Sequence, residues 1–226
     1  MAGTNAGVKR FYLLLALVAV VGLGAIIYLV TRPTSVSIPA NVTVQASDTA
    51  GFRGYIKGSP TAPVEITEFA DYQCPFCQTF ATLQMPTIQE RLIDTGRLRW
   101  RYRDFPLQQH SFARLAAHSA ACADEQGKYW QQHDRIYEGQ QDWAVGNAAS
   151  LFRDYAKGVG LDLGRYDACM KAGKYAGRIQ ASYNEGVQLG VSSTPTLLVG
   201  NRLYRGRVDS DAITKLVDSL ARSSSR

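Results

Sequence analysis

The first clear feature of the hydrophobic pattern is an uninterrupted apolar run near the N-terminus. Residues 11–30, FYLLLALVAVVGLGAIIYLV, carry no charged side chain and are numerous enough to cross a bilayer as one helix. A cleaved signal peptide has a shorter apolar region with a small-residue cleavage site close behind it, whereas the nearest plausible site here follows Ala46. The pattern therefore predicts an uncleaved transmembrane anchor over 11–30.

The residues on either side of this run indicate its orientation. Lys9 and Arg10 precede it and only Arg32 follows closely, so the positive-inside tendency predicts a cytoplasmic tail at 1–10 and places the rest of the chain outside. Residues 31–50 are rich in Thr, Ser, Val and Pro and lack helical periodicity. They are predicted to form an extended linker.

Alternating and helical periods follow one another beyond the linker. Alternation predicts strands over 63–70 and 97–105, and apolar residues at helical spacing predict a helix over 75–96 between them, kinked at Pro86. Helical periodicity interrupted by glycines then continues over about 111–189. This block is predicted to contain four or five short helices.

Strand signals return in TPTLLVGNRLYRG, where Gly200–Asn201 marks the turn of a predicted hairpin. A final amphipathic helix is predicted over 209–221, with a buried face formed by Ile213, Leu216, Val217 and Leu220. The order βαβ, helical block, ββα predicts an α/β domain over 51–222 with an inserted helical domain. Residues 223–226 are left as a C-terminal tail.

The charge balance adds little to this picture. The formal net charge is +6, from 25 basic and 19 acidic residues, and three of the basic ones flank the apolar run. A nucleic-acid interface needs basic residues clustered on one element. The nearest approach is four alternating arginines, which are better explained as the solvent face of the second strand: Arg97, Arg99, Arg101 and Arg103. Nucleic-acid binding is therefore not indicated.

Cys74 and Cys77 carry the most specific chemistry in the chain. They lie where the first strand ends and the first helix begins, so a Cys74 thiolate would face free backbone N–H groups and the positive end of the helix dipole. A disulfide ring this small restrains little unfolded-chain entropy and is a poor structural staple. The spacing therefore favours a redox-active pair over an inert disulfide.

A zinc site is the other common reason for a CxxC. Structural zinc needs four ligands, usually two such pairs or a pair with spaced histidines. The sequence has no second CxxC, and the three histidines, His110, His118 and His133, show no spacing typical of a ligand set. No metal is expected.

The remaining cysteines, Cys122 and Cys169, lie in the helical block and outside any CxxC. An even number of cysteines on the outer side of a membrane suggests paired disulfides. We predict a structural Cys122–Cys169 disulfide within the block. Two alternatives stay open: two free buried thiols, or a pair that shuttles electrons to Cys74 and Cys77.

Three separated segments resemble those of membrane-anchored DsbA-like thiol:disulfide oxidoreductases of the thioredoxin superfamily. The segments are FADYQCPFC, the helical block and GVSSTPTLLVG, and the resemblance covers about residues 52–222. It implies a thioredoxin-like fold with an inserted helical domain. The activity it implies is disulfide exchange, most simply by an oxidase that introduces disulfides into exported proteins.

The same resemblance implies roles for individual residues. Cys74 would be the exposed nucleophile and Cys77 the resolving thiol. Glu68 would be a buried acid that moves protons to and from Cys77, and the Thr194–Pro195 bond would be cis and packed against the CxxC. The residues implied in substrate binding are Pro75, Phe76, Thr194 and Pro195.

The implied partners are reduced exported polypeptides and a quinone-linked membrane reoxidant of the DsbB or vitamin-K-epoxide-reductase type; no cofactor is expected. One departure is Phe76, which stands where DsbA carries a histidine and cannot donate a hydrogen bond or a positive charge to the thiolate. Two alternative functions stay open. One is a reductase or isomerase of the same fold, and the other is a membrane-tethered peptide-binding or chaperone module without turnover.

Overall fold

The N-terminal apolar run forms one long helix, α1 (Thr4–Thr31), in the computed structural model, which describes residues 4–31, 36–206 and 208–224. Its segment Gly7–Ile27 has a mean hydropathy of 2.3 and is long and apolar enough to cross a membrane. The described side chains of that segment are exposed, so they pack into no protein core. The predicted tail 1–10 is thus helical from Thr4, and residues 1–3 lie outside the described residues.

The chain from Val36 onward forms a second unit. Its strands are β1 (Tyr55–Lys57), β2 (Val64–Ala70), β3 (Leu98–Asp104), β4 (Thr196–Val199) and β5 (Arg202–Arg205). Its helices are α2 (Ala46–Thr49), α3 (Pro75–Thr79), α4 (Met85–Ile88), α5 (Ala113–Asp124), α6 (Tyr129–Glu138), α7 (Gln140–Trp143), α8 (Ala148–Gly158), α9 (Leu163–Ala172), α10 (Ala176–Gln188) and α11 (Ser210–Ser224).

The strands described here form one five-stranded sheet in the order β1-β3-β2-β4-β5. β2 and β3 run parallel, and the other neighbouring pairs are antiparallel. The predicted βαβ unit, helical insertion and ββα unit are confirmed in this order. β2 is the central strand, and its carboxyl end leads directly to Cys74, as expected of a reactive site in an open α/β sheet.

Strand β1 was not predicted from the sequence. It is only three residues long and pairs with β3 at the sheet edge. Gly54 and Gly58 flank it with φ values of 116° and 100°, which L side chains rarely adopt. A β-carbon at Gly58 would also lie 2.8 Å from the carbonyl oxygen of Leu98. The glycines therefore let a short edge strand approach β3 closely, a requirement that no periodicity reveals.

The helix predicted over 75–96 contains two π-helical segments, Phe80–Gln84 and Gln89–Ile93, around α4. Pro86 has no N–H to donate to the preceding turn, and the first π segment ends immediately before α4, with Met85 N–H bonded to the carbonyl of Phe80. A widened turn therefore lies immediately before Pro86, the position at which the sequence predicts a kink.

The insertion between β3 and β4 comprises the six helices α5–α10 of the described residues, more than the four or five predicted. The difference is α7, a single turn that Gly139 separates from α6. The core of the insertion includes Cys74 and Cys77 as well as Trp143 and Phe152. The CxxC thus packs at the junction of the sheet and the insertion.

Residues 36–50 belong to the second unit and pack within it, in contrast to the extended linker predicted over 31–50. Ile38 is buried, and the Asn41 N–H donates to the Gln180 side-chain oxygen in α10 at 3.0 Å. Helix α2 also approaches α10 so closely that a β-carbon at Gly177 would clash with the Asp48 carboxylate. Residues 32–35 of the predicted linker lie outside the described residues.

The remaining predictions for this unit concern the β4–β5 turn, helix α11 and the arginines of β3, and only some of them are confirmed. The Gly200–Asn201 turn and the buried face of α11 are confirmed, with Ile213 and Val217 fully buried. The predicted tail 223–226 begins inside α11, and residues 225–226 lie outside the described residues. Arg103, predicted to face solvent, is instead buried and forms an ion pair with Glu185, a partner supplied by the insertion.

Candidate functional site: the CxxC pair

Cys74 is the N-cap residue of α3. Its backbone is extended, with φ −75° and ψ 123°, and Pro75 occupies the first turn, where its fixed φ and missing N–H are compatible with a helix start. The preceding turn is closed by the Cys74 N–H, which donates to the carbonyl of Asp71 at 3.1 Å. The local sequence therefore places the Cys74 sulfur beside the free N–H groups of the first helical turn.

The pKa of the Cys74 thiol is lowered to about 6. The largest cause is a hydrogen bond with the Cys77 side chain; Thr194 and the backbone N–H groups of Cys77 and Phe76 add to it, and burial opposes it. Cys74 is therefore largely a thiolate at neutral pH. With Phe76 offering no side-chain donor, the groups that lower this pKa come from the helix turn, Thr194 and Cys77.

Cys77 has the opposite electrostatics. It is fully buried, and burial raises its pKa well above the ordinary value, with the nearby Cys74 and Glu68 adding to the rise. Both cysteines are reduced, so the structure shows the dithiol form of the pair. One thiol is thus set to react as an anion and the other to stay protonated.

The expectation that Cys74 is exposed is wrong for this reduced form, because the residue is only 4% exposed. Part of the cover comes from Thr194, whose carbonyl oxygen lies 3.4 Å from the Cys74 sulfur. The Thr194–Pro195 peptide is cis, as the resemblance implied. The segment before β4 therefore packs on the CxxC.

Glu68 lies on β2 between Tyr102 of β3 and Leu197 of β4, and only 3% of it is exposed. Its Oε2 accepts a hydrogen bond from the Trp100 indole N–H at 3.0 Å. Burial raises its pKa to about 7. The structure therefore contains a buried carboxyl that changes protonation near neutral pH and acts electrostatically on Cys77.

An apolar groove of about 710 Å³ lies beside the pair. Phe76, which is 62% exposed, and Leu83, which is 66% exposed, line it together with Thr194 and Pro195. Pro75 precedes Phe76 at the start of α3 but is not among the residues that line the groove. The groove joins the two segments that the resemblance implied in substrate binding. Leu83 was missed because it has the pattern of an ordinary apolar position of the helix.

The second cysteine pair forms the predicted disulfide. Cys122 in α5 and Cys169 in α9 are bonded, with their α-carbons 5.8 Å apart. His118 lies against them, with Nδ1 3.4 Å from the Cys122 sulfur and 3.3 Å from the Met170 sulfur. The histidine spacing gave no sign of this cluster, although His118 and Cys122 are one helical turn apart. With both cysteine sulfurs bonded to each other, the cluster offers no thiolate to a metal.

Several polar residues around the CxxC were also missed. Asp71 is buried, and its carboxylate accepts from the Gln73 N–H at 2.7 Å and pairs with the His110 ring at 2.8 Å. The hydrogen bond with Asp71 raises the pKa of His110. Asp71 could have been noticed as a polar residue between a buried strand and the CxxC, whereas nothing local marked His110.

Comparison with known proteins agrees with this geometry. Residues 53–219 match the family described as Thioredoxin. This chain belongs to the thioredoxin family. Within that family, it is 25% identical over 190 residues to disulfide bond formation protein D of Bacillus subtilis, which covers 79% of this chain and 84% of that protein.

Solved structures place this thioredoxin-family chain among DsbA-like folds. The crystal structure of oxidised BdbD from Bacillus subtilis has a TM-score of 0.67 at 23% identity, covering 74% of this chain and 92% of that one. Chlamydia trachomatis DsbA has a TM-score of 0.69 at 20% identity, covering 81% and 98%. The domain therefore has a DsbA-like fold.

Part of a larger protein is also similar to this thioredoxin-family chain. Na(+)/H(+) antiporter NhaA 3 of Salinispora tropica is 33% identical over 168 residues, which are 74% of this chain. The match spans only 24% of the antiporter's own length. This chain therefore corresponds to about a quarter of the antiporter, whose name describes the whole of that protein.

Proposed function

We propose that this chain is an extracytoplasmic oxidase that introduces disulfides into exported proteins through Cys74 and Cys77. The observation that carries the proposal is the contrast between the two thiols, with the pKa of Cys74 lowered to about 6 and that of Cys77 raised. A stabilised Cys74 thiolate favours the reduced form of the pair, and a pair with a stable reduced form is a good oxidant.

The reaction proceeds in two thiol–disulfide exchanges. A substrate thiolate attacks the Cys74 sulfur of the Cys74–Cys77 disulfide, forming a mixed disulfide, and the S–S electron pair leaves on Cys77, which takes up a proton. The second substrate thiolate then attacks its own bridged sulfur and releases Cys74 as a thiolate. Two electrons pass from the substrate dithiol to the cysteine pair. The low pKa of Cys74 makes it a good leaving group in the second step.

The groove beside the pair is proposed to hold the reduced polypeptide. Phe76 and Leu83 offer exposed apolar surface, and Thr194 and Pro195 provide the opposite wall. Pro75 supports this surface by fixing the start of α3. An unfolded exported chain exposes apolar side chains near its cysteines, which fits such a groove.

Helix α1 is proposed to anchor the enzyme with its N-terminus in the cytoplasm and its redox domain outside, because Lys9 and Arg10 precede the span. The reduced enzyme then needs an electron acceptor. A quinone-linked membrane protein of the DsbB or vitamin-K-epoxide-reductase type would meet it in the same bilayer, where tethering raises its effective concentration.

The reduction potential of the Cys74–Cys77 pair tests the direction of electron flow. The pKa of about 6 lies between the values of thioredoxin, about 7, and DsbA, about 3.5. We therefore expect a potential between about −270 and about −120 mV, measured on the full chain in detergent equilibrated with glutathione buffers. A value at or below that of thioredoxin would contradict the oxidase assignment and favour a reductase.

Glu68 is proposed to exchange protons with Cys77, and Glu68→Gln tests this role. Gln keeps an acceptor for Trp100 but cannot take up a proton, so we expect the step that protonates or deprotonates Cys77 to slow by about tenfold to a hundredfold. The measurement is single-turnover exchange with a model dithiol, monitored by intrinsic fluorescence. An unchanged rate would remove Glu68 from the proton path.

The same variant also has an expected stability signature. The pKa of Glu68 is raised from 4.5 to about 7 in the folded protein, so its protonated form favours folding. That contribution is complete below pH 4.5 and is lost as the pH rises through about 7, at a cost of about 3 kcal/mol. Glu68→Gln should therefore stabilise the protein more at pH 8 than at pH 5. Equal melting-temperature changes at both pH values would contradict the assigned pKa.

A further inference from the structure

Glutamine side chains connect the CxxC segment to the helical insertion. Gln73 accepts from the Phe112 N–H at 2.8 Å, and Gln78 donates to the carbonyl of Tyr137 at 3.1 Å. Gln140 differs from both because it belongs to the insertion, in α7, and reaches back to the backbone of the CxxC segment.

The Gln140 side chain is almost fully buried, with 2% of the residue exposed. Its Nε2 donates to the carbonyl of Tyr72 at 2.6 Å and to that of Cys74 at 3.1 Å. These two carbonyls lie on either side of Gln73. Both N–H groups of the Gln140 amide thus donate to the turn that leads into α3.

The Cys74 carbonyl also accepts the Gln78 N–H at 3.1 Å, the bond that begins the helical ladder of α3. Rotation about the Cys74 backbone decides how its sulfur is aimed at the N–H groups of Phe76 and Cys77. Gln140 fixes the Cys74–Pro75 peptide plane directly after that rotation and the Tyr72–Gln73 peptide plane one residue ahead of it. Without these two hydrogen bonds from Gln140, the Cys74 sulfur would be less well aligned with the N–H groups of Phe76 and Cys77.

We propose that Gln140 is a positioning residue of the redox site, which holds the Tyr72 and Cys74 carbonyls so that the Cys74 sulfur stays aligned with the first turn of α3. The helical insertion then sets the reactivity of the CxxC as well as covering it. This inference rests on Cys74 being the reactive thiol and is independent of the direction of electron flow.

Gln132 provides a matched control within the insertion. It is also fully buried, and its Nε2 also donates two hydrogen bonds, to the Ser119 hydroxyl and the Phe152 carbonyl, both at 3.0 Å. Neither acceptor belongs to the CxxC segment. Gln132→Met and Gln140→Met therefore remove the same number of buried donors with the same change in shape, and only Gln140→Met removes them from the site.

The test measures the alkylation rate of reduced Cys74 by iodoacetamide at pH 6 and pH 8 in the full chain. The rate at pH 6 divided by the rate at pH 8 reports the thiolate fraction at pH 6, and this ratio is insensitive to changes in access to the sulfur. A rise of about one unit in the Cys74 pKa, the size expected from misaligned hydrogen bonds, lowers this ratio about fivefold. We expect this drop for Gln140→Met and an unchanged ratio for Gln132→Met.

Two results would overturn the proposal: a wild-type ratio in Gln140→Met, or an equal drop in both variants, which would show a general loosening of the insertion. If Gln140→Met does not fold, Gln140→Glu takes its place. Its carboxyl group keeps the shape of the amide. In the charged form it cannot donate and its charge disfavours the Cys74 thiolate, and in the protonated form it donates one hydrogen bond in place of two, so the ratio should fall in either form. A wild-type ratio in that variant would equally overturn the proposal. None of these outcomes depends on the reduction potential that tests the oxidase assignment.

Discussion

Replacing Cys77 by serine is expected to accumulate mixed disulfides between Cys74 and substrate proteins, whereas replacing Cys74 by serine should accumulate none. Cys74 carries the stabilised sulfur, and Cys77 is fully buried with a raised pKa, so a substrate meets Cys74 first. Cys77→Ser has no Cys74–Cys77 disulfide, so its Cys74 thiolate attacks a disulfide of an oxidised substrate protein. The Cys74–substrate bond forms as the substrate S–S bond breaks, and the second substrate sulfur leaves as a thiolate. Without Cys77 no thiol of the enzyme's CxxC resolves this mixed disulfide. Both variants should lose multiple-turnover exchange.

The measurement is acid quenching and alkylation of free thiols, followed by non-reducing electrophoresis and mass spectrometry of the bridged peptides. The double variant Cys74→Ser/Cys77→Ser serves as the control for bridges through Cys122 or Cys169. Equal trapping by the two single variants, or trapping by neither, would contradict the assignment of Cys74. In the wild type, attack by reduced Cys74 should fall about tenfold for each pH unit below about 6 and level off above it.

The part of this site that the sequence predicts is the part encoded in local patterns. Alternation in VEITEFA indicates β2, and Pro75 after Cys74 indicates the start of a helix, so the position of the sulfur at a helix N-terminus follows from the sequence alone. The burial of Glu68 could be predicted only from the family resemblance. Alternation shows which residues share a face of the strand, but it does not show whether other elements cover that face.

The rest depends on contacts between distant segments. Gln140 and Cys74 are 66 positions apart, and a glutamine that follows a glycine at the start of a one-turn helix shows no pattern that would mark it. The cover over Cys74 by Thr194 has the same origin, since it comes from a loop 120 positions away. Strand β1 and the packing of Ile38 were missed because such short segments acquire their structure from the surface they meet.

Removal of the second disulfide has the other large expected effect. Cys122 and Cys169 are 47 positions apart and join α5 to α9 inside the insertion. In the chain-entropy estimate, closing a loop of that length stabilises the folded state by about 4 kcal/mol. Cys122→Ala/Cys169→Ala should therefore lower the melting temperature by about 10 °C, because each kcal/mol corresponds to a few degrees in a domain of this size.

Activity should respond differently, because this disulfide joins α5 to α9 and neither of its cysteines belongs to the CxxC. We expect the folded double-alanine variant to exchange disulfides at close to the wild-type rate, measured well below its melting temperature. A slower rate at unchanged folding would favour an electron shuttle from this pair to Cys74 and Cys77. An unchanged melting temperature would show that the bridge does not hold the insertion together. A parallel thermal scan of Cys74→Ala/Cys77→Ala separates the two pairs, since a ring as small as that of the CxxC contributes little chain entropy.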